Sequence, residues 1–390
     1  MLPPVLLNLW RIHDYGTEIL KQNGGTGEFQ GPWFCKMDYL VTCDSLNVQH
    51  MLLKNFENYV KGPVFRQIFE PFGDGVVVAD AETWKYHRAH FQFFIKQRRH
   101  EAFVEQIVQN KLKTCLLPIL DHVQEHGKVV DVQDLFSRFA FDNICSIVAG
   151  HDPMCLSMDF PEVVIERAFK ESEESIFYRH TVPMTVWKVQ KWLQIGQEKT
   201  MTKACKTLDE FIYSCIASKR EELRKCSKEE MDELTSLGLD NNFDHIRRLQ
   251  DYGLFPTVPV ERKQAIKADT LPSGHRVHPN TMIIFSLYAM GRSEEIWGKD
   301  CLEFKPERWI SNKGELVYVP SYKFINAFNA GPRICLGKDS ATVQMKILAS
   351  TFLRNYCFQV VEGHVATPSY SIILLMKNGL KAKITKRESI

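Results

Sequence analysis

Apolar residues recur three and four positions apart through much of this 390-residue chain, the period that gathers them on one face of an α-helix. Val132, Leu135, Phe136, Phe139, Ile144 and Ile147 form such a stripe. The spacing predicts a helix over 131–148, with Asp131 as its cap, that stripe on the buried side and Gly150 as its stop. A further helix opens at 159–161, and its acidic patch at Glu171, Glu173 and Glu174 is expected to face solvent. The longest stripe runs from Gly196 to Lys225, where Met201, Ala204, Leu208, Phe211, Ile212, Cys215 and Ile216 are expected to pack the core. From 226 to 242 the chain turns polar and reads as a linker.

The β signals are shorter. The first eighty residues mix brief helices and strands, with Leu40-Val41-Thr42-Cys43 as a strand candidate. Leu271-Pro272-Ser273-Gly274 reads as a turn between short strands, and 282–288 as a buried strand. Near the C-terminus, 372–376, an Asn378-Gly379 turn and 380–384 predict a hairpin. No internal repeat is visible. The pattern predicts a mainly α fold with a minor β part.

Composition narrows the picture modestly. At 44% hydrophobic and 25% charged the chain is ordinary globular material, and a net charge of +2 gives no reason to expect nucleic acid. The basic run Lys96-Gln97-Arg98-Arg99-His100 reads as a solvated helix face that could also dock an acidic redox partner. Eleven cysteines without a Cys-x-x-Cys pair argue against a zinc site and a disulfide scaffold, and fit a reducing, cytosol-facing environment. No stretch is apolar for long enough to span a bilayer, and 1–10 lacks the features of a signal peptide. The expectation is a soluble or peripheral chain.

The chemistry concentrates in Phe328-Asn329-Ala330-Gly331-Pro332-Arg333-Ile334-Cys335-Leu336-Gly337. One cysteine sits in a glycine-flanked loop, ahead of a helix pattern carrying Val343, Met345, Ile347, Leu348, Phe352 and Leu353. Such a loop can offer a lone thiolate to a metal, with backbone amides around the sulfur and a helix N-terminus favouring the anion. The bland alternative is a buried structural cysteine. Upstream, Asp80 is expected to cap a helix on which Trp84 and Arg88, four apart, share a face. That pair suits a ligand with an apolar rim and a negative edge, or else is an exposed cation–π pair.

The loop resembles the haem-ligand motif of cytochromes P450, Phe-x-x-Gly-x-Arg-x-Cys-x-Gly, at all five fixed positions. A chance match is worth ~10⁻⁷ per window, or ~10⁻⁴ over a chain of this length. Trp84-x-x-x-Arg88 and Phe304-Lys305-Pro306-Glu307-Arg308-Trp309 resemble two further family elements in the family's order. The blocks FGDGVVVADAETWKYHR, FDNICSIVAGHDP and LPSGHRV are similar to plant P450 families that hydroxylate long-chain alkanes and fatty acids. The resemblance implies haem b with Cys335 as axial thiolate, and Trp84, Arg88 and Arg333 at the haem propionates. It also implies Phe328 packed beside the sulfur, and Gly331 and Gly337 shaping the loop. It further implies an NADPH-cytochrome P450 reductase as electron donor, a lipid-like substrate, and the cytosolic face of the endoplasmic reticulum membrane.

Two family elements have no counterpart in place. The oxygen-activating central helix, Ala/Gly-Gly-x-Asp/Glu-Thr-Thr, is not found, and Ala149-Gly150-His151-Asp152-Pro153 is only a superficial echo. The Glu-x-x-Arg pair is missing too: Gln250 and Gly253 stand at its positions, Asp244 and Arg247 are misplaced, and Glu221 with Arg224 reads as a surface pair. Arg308, which that pair holds in the family, is then at risk of burial without partners, a loss of about 3–5 kcal/mol. The expectation is one P450-like domain over 1–390 with an internal deletion near 226–254. The competing readings are a catalytically impaired remnant that binds haem weakly or not at all, and a helical interaction protein in which Cys335 is merely buried.

Overall fold

The Val132–Ala149 helix starts where the Asp131 carboxylate accepts the amides of Gln133 and Asp134, and stops where Gly150 turns left-handed at φ 65°. The structure is a computed structural model that describes residues 2–31, 37–225, 255–311, 313, 328–369 and 371–387. The apolar stripe of this helix joins the Leu117–Glu125 and Lys338–Asn355 helices in a core built on Val108, Leu120, Leu135, Phe139, Phe352 and Ile384. The Gly196–Lys225 helix has the predicted bounds and packs along the Val164–Thr181 helix. Met201, Ile68 and Ile176 form a small second core there. The fold is mainly α with small sheets.

Burial departs from the periodicity on one side of this helical half. Ile144 is 47% exposed, Ile212 50% and Ile216 42%, although all three lie on predicted core stripes. These three side chains lie on the part of each stripe that the neighbouring elements leave uncovered. Glu173 goes the other way. It is buried three residues before Ile176, and burial pushes its carboxyl up to about 7.

The β part comprises β1 (Thr26–Phe29), β2 (Tyr39–Thr42), β3 (Tyr59–Val60), β4 (Val129–Asp131), β5 (Val260–Ala265), β6 (Asp269–Thr270), β7 (Arg276–Val277), β8 (Met282–Ser286), β9 (Tyr356–Val360) and β10 (Lys381–Lys386). Five form one sheet in the order β1-β2-β8-β5-β3, antiparallel except for β2 and β8. Leu40 pairs with Ile283, and Ile283 with Lys263, so apolar β8 sits at the centre. The predicted turn at 271–274 links β6 and β7. The predicted C-terminal hairpin does not form. β10 pairs instead with β9 and β4, and residues 372–376 contribute only a bridge between Pro368 and Met376. Local turn chemistry lost to the core, where Ala382 and Ile384 of β10 are buried.

Candidate cofactor site at the Cys335 loop

Ahead of the Lys338–Asn355 helix the chain makes a tight turn over Gly331–Arg333. The Cys335 amide closes the loop by donating to the Phe328 carbonyl at 2.8 Å, and the Ile334 amide donates to Gly331 at 3.0 Å. Gly331 is left-handed at φ 69°, and a Cβ there would run into the Leu52 carbonyl oxygen. Only glycine lets the loop lie this close to the 50–54 turn. Asn329, also left-handed, donates to Glu261 Oε1 at 3.3 Å while its Oδ1 accepts the Ala330 amide. Cys335 is an exposed free cysteine, and a Cβ at Gly337 would stand 3.9 Å from its Sγ. Exposure removes the buried structural cysteine reading. Phe328 is half-buried at the loop's start.

The Ala81–Ile95 helix reads this loop with residues spaced by four. Arg88 donates from Nη1 to the Ile334 carbonyl at 2.5 Å. Buried Trp84 lays its ring against the Arg333 guanidinium, 4.7 Å from its centroid, and packs on Phe56 at 5.5 Å. Arg333 donates from Nη2 to Asp80 Oδ1 at 2.8 Å and to the Ala79 carbonyl at 2.9 Å. Asp80 precedes the helix as expected, but its side chain makes no cap hydrogen bond. Its two oxygens instead accept the Lys61 and Gly62 amides, each at 2.9 Å, besides Arg333. The carboxylate is committed to tertiary partners, so Trp84, Arg88, Arg333, Gly331, Gly337 and Cys335 all meet in one region.

Electrostatics set the region apart. Lys263 on β5 is fully buried, and its Nζ has no hydrogen-bond partner. Burial, with Lys61 and Arg333 nearby, lowers it to about 7. Burial also lowers Arg88 and Arg333, and the Nε atoms of both are buried without partners. Burial opposes the charge on Glu261, but Lys61, 2.7 Å away, and Lys263 hold its carboxyl below the usual range. Among the described residues, Lys61, Arg66, Arg88, Lys263 and Arg333 thus gather around the acids Asp80 and Glu261. Buried cations with unused donors and a surplus of positive charge call for an anion.

Sequence reasoning missed Asp80 in this role, and Lys263 and Glu261 altogether. Asp80 stands four before Trp84, the same spacing that links Trp84 to Arg88, so the stripe could be extended. Glu261-Arg262-Lys263 is a fully charged run on an inner strand, so no apolar pattern marks it. Arg308 has partners after all: Nη1 donates to Asp300 Oδ1 and the Trp297 carbonyl, both at 2.8 Å, and Nη2 donates to the Asp300 carbonyl. Among the described residues its acidic partner is the local Asp300. Glu221 and Arg224 form an exposed pair at 3.8 Å, as expected. Asp244, Arg247, Gln250 and Gly253 lie outside the described residues.

Among the described residues, a mainly helical fold thus sets an exposed loop thiol in the same region as a cluster of sheltered cations, an arrangement suited to an anionic cofactor with a thiolate ligand. The sequence model described as "Cytochrome P450" matches residues 3–250 and 254–384. The alkane hydroxylase MAH1 of Arabidopsis thaliana is 36% identical over 462 positions, covering 99% of this chain and 92% of that protein. A noroxomaritidine synthase of Narcissus aff. pseudonarcissus MK-2014 is 35% identical, covering 99% and 90%. Cytochrome P450 86B1 of Arabidopsis thaliana is 30% identical, covering 99% and 84%. The crystal structure of a cytochrome P450, CYP102L1, shares the fold at TM-score 0.71 and 16% identity, over 96% of this chain and 98% of that one. This chain belongs to the cytochrome P450 family.

Membership implies a haem-thiolate cofactor, and the residues present fit one. A haem carries two carboxylates on one edge, which answers the surplus positive charge and the unused donors on Arg88, Arg333 and Lys263. Cys335, exposed and free, would offer its iron a soft, accessible ligand. The alignment with MAH1 runs over 462 positions against a chain of 390 residues, so at least 72 positions have no residue opposite them here. The family match is itself interrupted at 251–253. Among the described residues, no helix is long and apolar enough to cross a membrane.

Proposed function

We propose that this chain binds haem b through the Cys335 thiolate and serves in the hydroxylation of a long-chain alkane or fatty acid. The observation that carries the reading is an exposed thiol on the loop that also holds Arg333, in the region where Arg88 of a helix and Lys263 of β5, like Arg333, keep buried donors unused. Bound haem supplies the oxygen chemistry of the family. The chain's own tasks are to hold and orient it: Cys335 at the iron, Trp84, Arg88, Arg333 and Lys263 along the carboxylate edge, Phe328 beside the sulfur, and Gly331 and Gly337 giving the loop its shape. The substrate class rests on likeness to MAH1 and to the family members quoted above, and the noroxomaritidine synthase at nearly equal identity is the competing direction. Electrons would come from an NADPH-cytochrome P450 reductase docked on the basic run at 96–100, at the cytosolic face of the endoplasmic reticulum.

A second reading is favoured by a specific observation. Ile144 and Val148 on one helix, and Ile212, Tyr213 and Ile216 on another, present exposed apolar side chains. The chain also runs at least 72 positions short within the aligned span, consistent with one domain carrying an internal deletion near 226–254. On this reading the chain holds haem but does not complete the reaction.

Both readings are tested on purified protein supplied with haem, reductase, NADPH and either an n-alkane or a fatty acid of matched length. Hydroxylated product supports the first reading. Haem uptake in a one-to-one ratio without product supports the second. No haem uptake by folded protein sinks the haem assignment altogether.

A further inference from the structure

Asp80 is largely sheltered and makes no cap hydrogen bond to the helix it precedes, yet its carboxylate is among the most heavily used in the chain. Its Oδ1 accepts the Lys61 amide at 2.9 Å and Arg333 Nη2 at 2.8 Å, and its Oδ2 accepts the Gly62 amide at 2.9 Å. The pair is sheltered: the Arg333 side chain is 8% exposed and that of Asp80 13%. Arg333 is therefore gripped on two sides by the segment that leads into the Ala81–Ile95 helix and by that helix's first turn. Asp80 and the Ala79 carbonyl hold Nη2, and Trp84 covers the face at 4.7 Å. What the grip leaves over is informative. Nε of Arg333 is buried without a partner, so the guanidinium is tied at one corner and has an unused donor at another. A long arginine side chain loses much rotamer freedom when it must meet a ligand, and a carboxylate that fixes it beforehand removes that loss at binding.

We propose that Asp80 is a positioning residue for the cofactor: it pre-sets Arg333 so that its unused donor meets a carboxylate of the haem, without itself touching the group. The proposal rests on the haem reading above. It also explains why the residue after Asp80, Ala81, is held at φ 48°, a backbone setting that L side chains resist. The chain accepts that strain where Asp80 turns from the helix toward Lys61 and Gly62.

The test titrates haem into the full-length apo-protein and follows Soret absorbance for wild type, Asp80→Asn, Arg333→Lys and the double variant. Asp80→Asn should stay folded by circular dichroism and bind haem about tenfold more weakly, the scale seen when partners behind a metal site are removed. Arg333→Lys should lose most of its own effect in the Asp80→Asn background, because the two act as one unit. If Asp80→Asn does not fold, the series is repeated on Ala81→Gly, which relieves the left-handed strain. Unfolding in that background as well assigns Asp80 to the fold and overturns the proposal. Haem affinity equal to or tighter than wild type also overturns it, since Asp80 would then be idle or a competitor for Arg333. Strictly additive losses do the same. A wild type that takes up no haem defeats the haem reading along with the proposal, whereas a loaded wild type with an indifferent Asp80→Asn defeats the proposal alone.

Discussion

At the scale of single residues, the site's oddities are backbone strain and buried charge without a partner. Ala81 at φ 48° is a non-glycine in the left-handed region. Ala81→Gly should raise apo-protein stability by about 1 kcal/mol, read as a higher urea midpoint at unchanged slope. Lys263 is the clearer case. Burial lowers its ammonium to about 7 in the folded chain, from an ordinary value of 10.5. Below about pH 7 both folded and unfolded chains carry the proton, and the full cost of the buried charge is felt. Between about pH 7 and 10.5 only the unfolded chain keeps it, so this group makes stability rise with pH across that window. Lys263→Met should therefore stabilise the apo-protein most at or below pH 7 and flatten the rise above it, while weakening haem uptake. Urea melts at three pH values check the sign. A variant less stable than wild type at pH 6 would show that Lys263 has a structural partner.

At the scale of elements, the helices separate into those whose apolar stripe is covered and those whose stripe is half bare. On the Gly196–Lys225 helix, Met201 is 2% exposed and sits in a core with Ile68 and Ile176, while Ile212 is 50% exposed. Met201→Ala should cost about 2–5 kcal/mol, whereas Ile212→Ser with Ile216→Ser should stay within about 1 kcal/mol of wild type. Equal losses in denaturant melts would mean that the second face is covered too. The same helix shows what was legible beforehand. Its bounds, like those of Val132–Ala149 with its Asp131 cap and Gly150 stop, follow from period and capping chemistry, which are local. What periodicity could not settle is which side of a wide stripe meets a neighbour. Nor could turn chemistry at Asn378-Gly379 outweigh the burial of Ala382 and Ile384 beside β4 and β9. The Cys335 motif was legible because its five fixed residues fall within one short stretch of chain, 328–337. Lys263 and Asp80 were not, because their meaning depends on contacts with residues far away in the chain.

At the scale of the molecule, long-range contacts assemble the candidate site. The Cys335 loop, the Trp84–Arg88 face and the β5 cations come together from four distant parts of the sequence, including the turn at Leu52 that seats Gly331. Holding one surface loop by so many buried charges has a purpose only if something anionic docks there. The alignment with MAH1 leaves at least 72 positions with no residue opposite them here, and this assembly is built from residues the chain retains. The most direct test of the account is the spectrum of the haem-supplied protein after reduction under carbon monoxide. The red-shifted Soret band of a thiolate-ligated haem is the predicted result, with its loss in Cys335→Ala. A folded protein showing no such band, or a band that survives Cys335→Ala, would contradict it.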